Sequence, residues 1–149
     1  MDNERILSKI NELDQCLKEL EEIRPDSLDE YKRSLLKRRA CERVIQVAIE
    51  TVIDICNLII SGLKLGLPSD DESTFKKLKD EKIISEKIEK ILINMKGFRN
   101  RLVHKYEDID DETVFELISE RLSDFEIFRK EILEFLNKLE KKMKVKNLK

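Results

Sequence analysis

The 149-residue sequence contains no tryptophan, only three glycines and two prolines, and aromatic residues make up 5% of it. So few helix breakers, beside many lysines, glutamates, isoleucines and leucines, exclude a turn-rich architecture and indicate an all-helical protein. The length predicts a single domain, residues 1–149, that is large enough to bury a hydrophobic core.

The chain also lacks an excess of charge of either sign, because 30 basic and 32 acidic residues give a net charge of −2. Bulk charge therefore gives no support for nucleic-acid binding, and any contact with RNA must use a local patch. One basic run is a candidate for such a patch, although a charge run is more often a solvated helix surface. It consists of Lys32, Arg33, Lys37, Arg38, Arg39 and Arg43.

Cysteine is scarce, and Cys16, Cys41 and Cys56 form no CxxC pair. Their odd number and their apolar surroundings predict buried, reduced thiols rather than disulfides or metal ligands. The polar opening of the chain does not resemble a secretory signal. The longest apolar segment, residues 44–63, is interrupted by Gln46, Glu50, Asp54 and Asn57, and falls short of the roughly 18 apolar residues of a membrane span. We therefore expect a cytoplasmic protein without a membrane partner.

Apolar residues at three- and four-residue steps predict helices along most of the chain. We expect an antiparallel, up-and-down bundle of about five helices, near residues 3–23, 28–63, 69–80, 85–104 and 111–143. A basic tail, residues 141–149, is expected to fray. The second half of the long second helix is apolar nearly all round. This predicts a central position and a second buried face against another subunit.

The most informative segment is residues 99–106, which holds the only histidine of the chain, His104. Arg99 lies five residues before His104, and Tyr106 lies two residues after it. An imidazole can move protons near neutral pH. A guanidinium can hold a phosphate through two parallel hydrogen bonds. Together these residues point to a site that handles a phosphodiester.

Helix geometry leaves two ways to bring this pair together, because Arg99 and His104 lie about 140° apart on an ideal helix. The helix could end or tighten near His104, or the cleft could form between two subunits. His104 points away from the core residue Leu102, which predicts an exposed or interfacial imidazole. The competing structural interpretation is a histidine that interacts with the helix dipole. The arginines would then pair with the acidic residues of the following turn.

Carboxylates interrupt the apolar stretch of the long second helix. Glu50 and Asp54 should be paired if they are buried, and the arginines of the 99–106 segment are candidate partners. A metal site built from them is disfavoured, since no further ligand lies nearby in the sequence. The candidate supporting residues of the site are Glu42, Asn100 and Arg101.

Three segments resemble the HepT-like toxin ribonucleases of the HEPN superfamily. Residues 39–50 resemble the start of the family's long helix, and residues 75–78 resemble its short helical element. Residues 95–110 are close to its strongest motif, Arg-x4-His-x-Tyr. The similarity covers about residues 38–135 in the right order and spacing.

The resemblance implies a homodimer with the active cleft near the subunit boundary. It implies the toxin of a type VII toxin–antitoxin module, which cleaves RNA without a metal ion or any other cofactor. The implied partner is an MntA-type minimal nucleotidyltransferase that in some systems transfers AMP to the tyrosine of the motif. By motif position, the catalytic residues are Arg99 and His104, and the AMP acceptor is Tyr106, which we also expect to orient the substrate.

A hypothesis for the chemistry joins both lines of argument. His104 acts as a general base or acid while an RNA 2′-hydroxyl attacks the adjacent phosphate and expels the 5′-oxygen, which leaves a 2′,3′-cyclic phosphate. Arg99 stabilises the charge that develops on the phosphate oxygens.

A second class of function stays open. Some HEPN-type domains bind nucleotides or act as non-catalytic partners of nucleotidyltransferases. This chain could then be a dimeric module whose Arg-His-Tyr cluster holds a nucleotide or RNA. A plain structural bundle is the third interpretation. The intact motif favours the enzyme.

Overall fold

The computed structural model describes residues 1–104 and 109–147, and this part of the chain folds into seven α-helices without a strand. This confirms the predicted all-α class. Two predicted helices are each divided in two, so the helices are more numerous than expected. They are α1 (Asn3–Ile23), α2 (Leu28–Arg33), α3 (Leu35–Gly62), α4 (Asp71–Asp80), α5 (Glu86–Val103), α6 (Asp111–Glu120) and α7 (Leu122–Asn147).

The continuous helix predicted for residues 28–63 is wrong, because the chain bends at Ser34. Ser34 has an extended backbone (φ −113°, ψ 103°), and its hydroxyl accepts a hydrogen bond from the backbone N–H of Lys37. It therefore caps α3. The bend lets α2 bury the ring of Tyr31, whose centroid lies 5.7 Å from that of Phe115 in α6. Local periodicity could not reveal this bend, since the partner of Tyr31 is distant in the sequence.

The predicted last helix divides in the same way at Arg121, whose backbone (φ −115°, ψ 11°) leaves the helical region between α6 and α7. Beyond the bend, α7 continues as a helix through Asn147, where a frayed tail was expected. Lysines in its last turn stabilise the helix, because their positive charges lie near the negative end of the helix dipole. Glu140 and Lys144 also form an ion pair of 3.3 Å at i, i+4 spacing.

Helix α3 lies at the centre of the bundle and contacts α1, α2, α4, α5 and α6. By length and composition alone it is the one described helix that could span a membrane, contrary to the sequence-based expectation. More than half of that stretch is buried inside the protein, as in the core helix of a helical bundle. The predicted central position is confirmed. The three cysteines are buried free thiols, as predicted.

The first turn of α4 is held against both α3 and α5. Asp70 caps α4 by accepting a hydrogen bond of 2.8 Å from the backbone N–H of Ser73. The hydroxyl of Thr74 lies 3.4 Å from the side-chain oxygen of Asn57 in α3. Three helices therefore meet where α4 begins, beside the C-terminal end of α5.

Candidate active site

Arg99 lies on the side of α5 that faces α4. Its Nη2 is 3.5 Å from Oδ2 of Asp71, and 24% of the Arg99 side chain and 27% of the Asp71 side chain are exposed. A pair buried to this extent is screened less by solvent ions than a surface pair. Nε of Arg99 is buried and has no hydrogen-bond partner within residues 1–104 and 109–147. The contact between Arg99 and Asp71 therefore uses only one nitrogen of the guanidinium, Nη2.

The carboxylate of Asp71 also acts on α3. Burial, and secondarily the negative charge of Asp71, raises the pKa of the Cys56 thiol, which has no exposed surface. Cys56 is therefore a neutral thiol and not a nucleophile at neutral pH. The same carboxylate thus lies close to α3 while it pairs with Arg99 of α5.

His104 stands where α5 ends. The last helical residue is Val103, and His104 leaves the helix with φ −91° and ψ 89°. Its backbone N–H donates a hydrogen bond of 2.9 Å to the carbonyl of Asn100. The side chain of His104 is exposed, as predicted, whereas that of Leu102 is buried. The structure therefore shows the helix end at the histidine, which was the first of the two alternatives derived from the sequence.

Tyr106 lies outside the described residues, as does the rest of the segment 105–108. Its predicted roles in substrate orientation and AMP acceptance stay predictions. The chain is described again from Ile109. Asp110 then caps α6 by accepting a hydrogen bond of 3.0 Å from the backbone N–H of Glu112.

Arg101 faces a different surface from Arg99. Its guanidinium carbon lies 5.8 Å from the ring centroid of Phe98, and the side chain is exposed. It lines a groove of about 540 Å³ beside α5 and α6. Asn100, between the two arginines, is half-buried. The two arginines of the 99–106 segment therefore do not form one cationic cluster with Asp71.

The three carboxylates considered on α3 have other partners. Glu42 pairs with Arg39 at 3.0 Å, Glu50 accepts a hydrogen bond of 3.0 Å from Gln46, and Asp54 lies 3.5 Å from Lys9. The candidate pairing of Glu50 or Asp54 with the arginines of the 99–106 segment is therefore wrong. Helix α4 packs against both α3 and α5, and it supplies Asp71 to Arg99. Within the described residues, no group of three or more His, Cys, Asp or Glu side chains could hold a metal ion.

Sequence reasoning missed Asp71. The residue belongs to an acidic run that opens α4, and such a run is typical of a helix N-terminus. The available signal was therefore ambiguous. Only the packing of α4 against α5 distinguishes Asp71, which meets Arg99, from its neighbour Glu72, which lies 3.8 Å from Lys96.

The basic run surrounds the bend between α2 and α3. Lys32 pairs with Glu112 at 3.4 Å, and Arg39 pairs with Glu42. Arg33 donates to the carbonyl of Asp29, and Arg38 donates to that of Lys32. Acidic neighbours therefore offset part of the positive charge, which favours the interpretation as a solvated helix surface.

The family model described as "Ribonuclease HepT-like" matches residues 13–132. The chain belongs to the HepT-like family. The match includes both Arg99 and His104. It also includes the junction of α3, α4 and α5 that holds Asp71.

Two curated HepT relatives match most of the chain. The sequence is 36% identical over 124 residues to the tRNA nuclease HepT of Aphanizomenon flos-aquae, covering 83% of this chain and 82% of that protein. It is 28% identical over 126 residues to the mRNA nuclease HepT of Shewanella oneidensis, covering 85% of this chain and 94% of that protein.

Solved HepT structures share the fold. The tri-AMPylated Shewanella oneidensis HEPN toxin in complex with its MNT antitoxin matches with a TM-score of 0.81 and 27% identity, covering 87% of this chain and 96% of that chain. A toxin–antitoxin complex with AMP-PNP matches with a TM-score of 0.80 and 26% identity, covering 87% of this chain and 97% of that chain. The HepT-like fold therefore accounts for most of the bundle.

Proposed function

We propose that this HepT-like protein is the toxin of a type VII HepT/MntA toxin–antitoxin module and a metal-independent endoribonuclease. The observation that carries the proposal is the placement of Arg99 and His104. A largely buried arginine lies near the end of α5, and the helix stops at an exposed histidine. The nuclease names of the two curated relatives support the same activity.

The proposed chemistry divides the work between two side chains. His104, exposed at the end of α5, removes the proton of an RNA 2′-hydroxyl or protonates the leaving 5′-oxygen. The 2′-oxygen attacks the adjacent phosphorus, the bond to the 5′-oxygen breaks, and a 2′,3′-cyclic phosphate remains. Arg99 donates hydrogen bonds to the phosphate oxygens as their charge develops. No cofactor takes part.

A homodimer suits this chemistry, because one chain offers a single imidazole whereas acid–base catalysis benefits from two proton-transfer groups. Two copies that meet near the ends of their α5 helices would bring two histidines to one cleft. We therefore propose that the toxin acts as a homodimer on RNA, with tRNA or mRNA as the substrate class.

Regulation follows from the proposed partner, an MntA-type minimal nucleotidyltransferase. Transfer of AMP to Tyr106 would add bulk and negative charge to the motif. The adduct would then compete with the RNA phosphate for Arg99, by the same logic that governs phosphorylation switches. Solved relatives of this kind include a tri-AMPylated toxin bound to its antitoxin, which supports the proposal.

The test uses the purified protein without its partner, in EDTA, with its unmodified state established by intact mass. We expect cleavage of tRNA or mRNA pools to products that end in a 2′,3′-cyclic phosphate, and loss of that cleavage in His104→Ala. Arg5→Ala, an exposed arginine on α1, serves as the control and should cleave normally. If unmodified wild-type protein binds RNA or nucleotides but does not cleave, the chain is instead a binding module.

A further inference from the structure

We propose that Asp71 is a positioning residue that holds the guanidinium of Arg99 for phosphate binding. This inference rests on the proposed ribonuclease activity and adds a residue from outside the Arg-x4-His-x-Tyr motif. Asp71 stands 28 residues before Arg99 in the sequence, yet its Oδ2 lies 3.5 Å from Nη2 of the arginine. The Asp71–Arg99 pair thus links the first turn of α4 to the C-terminal end of α5.

Arginine needs such a partner because its long side chain has many rotamers, and ordering it on substrate binding lowers the free energy available for catalysis. A carboxylate that orders the side chain beforehand removes this penalty and keeps a pre-oriented donor near the reacting phosphate. The burial of the Asp71–Arg99 pair strengthens the effect, because partly buried charges are less screened than surface charges.

The geometry of the pair leaves Arg99 available to a substrate. A guanidinium has five N–H donors, and Asp71 engages one of its nitrogens. A bidentate carboxylate pair would have used the same two-pronged edge that a phosphate prefers. The single contact therefore orients the arginine and leaves further donors for a phosphate oxygen.

The helical turn that carries Asp71 is held in place by the residues around it. It follows the N-cap Asp70, and three residues later Thr74 is buried with its hydroxyl 3.4 Å from Asn57 of α3. Burial, and to a smaller extent the negative charge of Asp71, raises the pKa of the Cys56 thiol on α3. A carboxylate on such a fixed turn can hold the arginine side chain in one orientation.

The competing interpretation is an ion pair that merely joins α4 to α5. The next residue provides a matched comparison, since Glu72 pairs with Lys96 of α5 at 3.8 Å. Both carboxylates lie in the first turn of α4 and both reach α5. A structural role would be shared by the two pairs, whereas a positioning role belongs to Asp71 alone.

The experiment compares Asp71→Asn with Glu72→Gln, each of which removes one charge with little change of shape. On RNA we expect Asp71→Asn to lower kcat by about 10- to 100-fold with little change in KM, because the lost interaction serves the transition state. Asp71→Glu, which restores the charge, should recover most of the loss. Glu72→Gln should cleave at the wild-type rate. The two variants, Asp71→Asn and Glu72→Gln, should shift the thermal unfolding midpoint by similar small amounts.

A double-mutant cycle separates positioning from an independent effect. If Asp71 acts through Arg99, adding Asp71→Asn to Arg99→Ala should lower activity by less than about twofold, whereas independent residues would multiply their effects. Losses of activity that multiply in the double variant would overturn the proposal. Equal losses of activity in Asp71→Asn and Glu72→Gln would overturn it as well.

A second readout does not depend on cleavage. The buried Nε–H of Arg99 should give an ¹⁵N–¹H resonance that exchanges slowly with solvent and is absent in Arg99→Lys. We expect this resonance to shift and to exchange faster in Asp71→Asn but not in Glu72→Gln. If the wild-type protein cleaves no RNA, the proposed function fails, and this resonance still decides whether Asp71 positions the arginine. An unchanged resonance in Asp71→Asn would contradict the positioning role.

Discussion

Nη2 of Arg99 lies 3.5 Å from Oδ2 of Asp71. The contact joins the predicted phosphate-binding arginine to a helix that the sequence analysis treated only as a short element of the bundle. It leaves the guanidinium oriented by one carboxylate oxygen while Nε stays buried without a partner in the described part of the chain. The surroundings of Arg99 therefore include a charged residue from outside the motif in which the arginine stands.

Arg99→Lys is expected to lose nearly as much activity as Arg99→Ala, a fall of about 10²- to 10³-fold in kcat. A lysine keeps the positive charge but cannot make the planar, two-pronged contact with a phosphate. Single-turnover cleavage of a defined RNA measures the effect, with Arg5→Ala as the control for a lost surface arginine. Wild-type activity in Arg99→Lys would show that charge alone is sufficient.

Tyr31→Phe is expected to leave the free energy of unfolding unchanged or to raise it by about 1 kcal/mol. The hydroxyl of Tyr31 is buried, and no hydrogen-bond partner is found for it among residues 1–104 and 109–147. Removing an unsatisfied polar atom relieves its desolvation penalty, while the ring keeps its contact with Phe115.

Chemical denaturation of wild type and Tyr31→Phe measures this difference. Tyr31→Ala is the comparison, and it should lose about 3–5 kcal/mol because it also removes the buried ring. A loss of more than about 1 kcal/mol in Tyr31→Phe would show that the hydroxyl has a stabilising partner.

Stability should fall as the pH rises above 9. Burial raises the pKa of the Cys41 thiol from 9.0 to about 11. A raised pKa means that the folded state keeps its proton while the unfolded state loses it, so the contribution to stability is complete below pH 9 and is lost between pH 9 and 11. The buried groups of Tyr31 and Cys56 act in the same direction.

Urea unfolding at a series of pH values between 8 and 11 tests this dependence. One such group contributes at most about 1.4 kcal/mol per pH unit. Cys41→Ala should therefore show a shallower decline than wild type, whatever its absolute stability. Parallel curves for the two proteins would contradict the assignment to Cys41.

The helical class and the end of α5 beside His104 could be predicted because both depend on local patterns. Apolar residues at three- and four-residue steps placed α5 within a residue of its observed bounds, Glu86–Val103. The same pattern showed that His104 points away from the core, and the structure agrees. These features repeat over one or two helical turns, so the sequence around them is sufficient.

The divisions of the two long helices could not be predicted in this way. Ser34 and Arg121 each interrupt a run whose apolar periodicity continues on both sides. The bend at Ser34 is stabilised by the burial of Tyr31 beside Phe115, a contact between distant parts of the chain. Periodicity within one segment carries no information about such a partner.

The sequence by itself determined that this protein is a helical bundle with a buried α3 and an Arg-x4-His-x-Tyr segment at the end of α5. Composition and helical period depend on each residue and its near neighbours. Only the tertiary structure decided that Asp71, rather than Glu50 or Asp54, meets Arg99. Several acidic residues were chemically equivalent candidates, and the packing of α4 against α3 and α5 selected one of them.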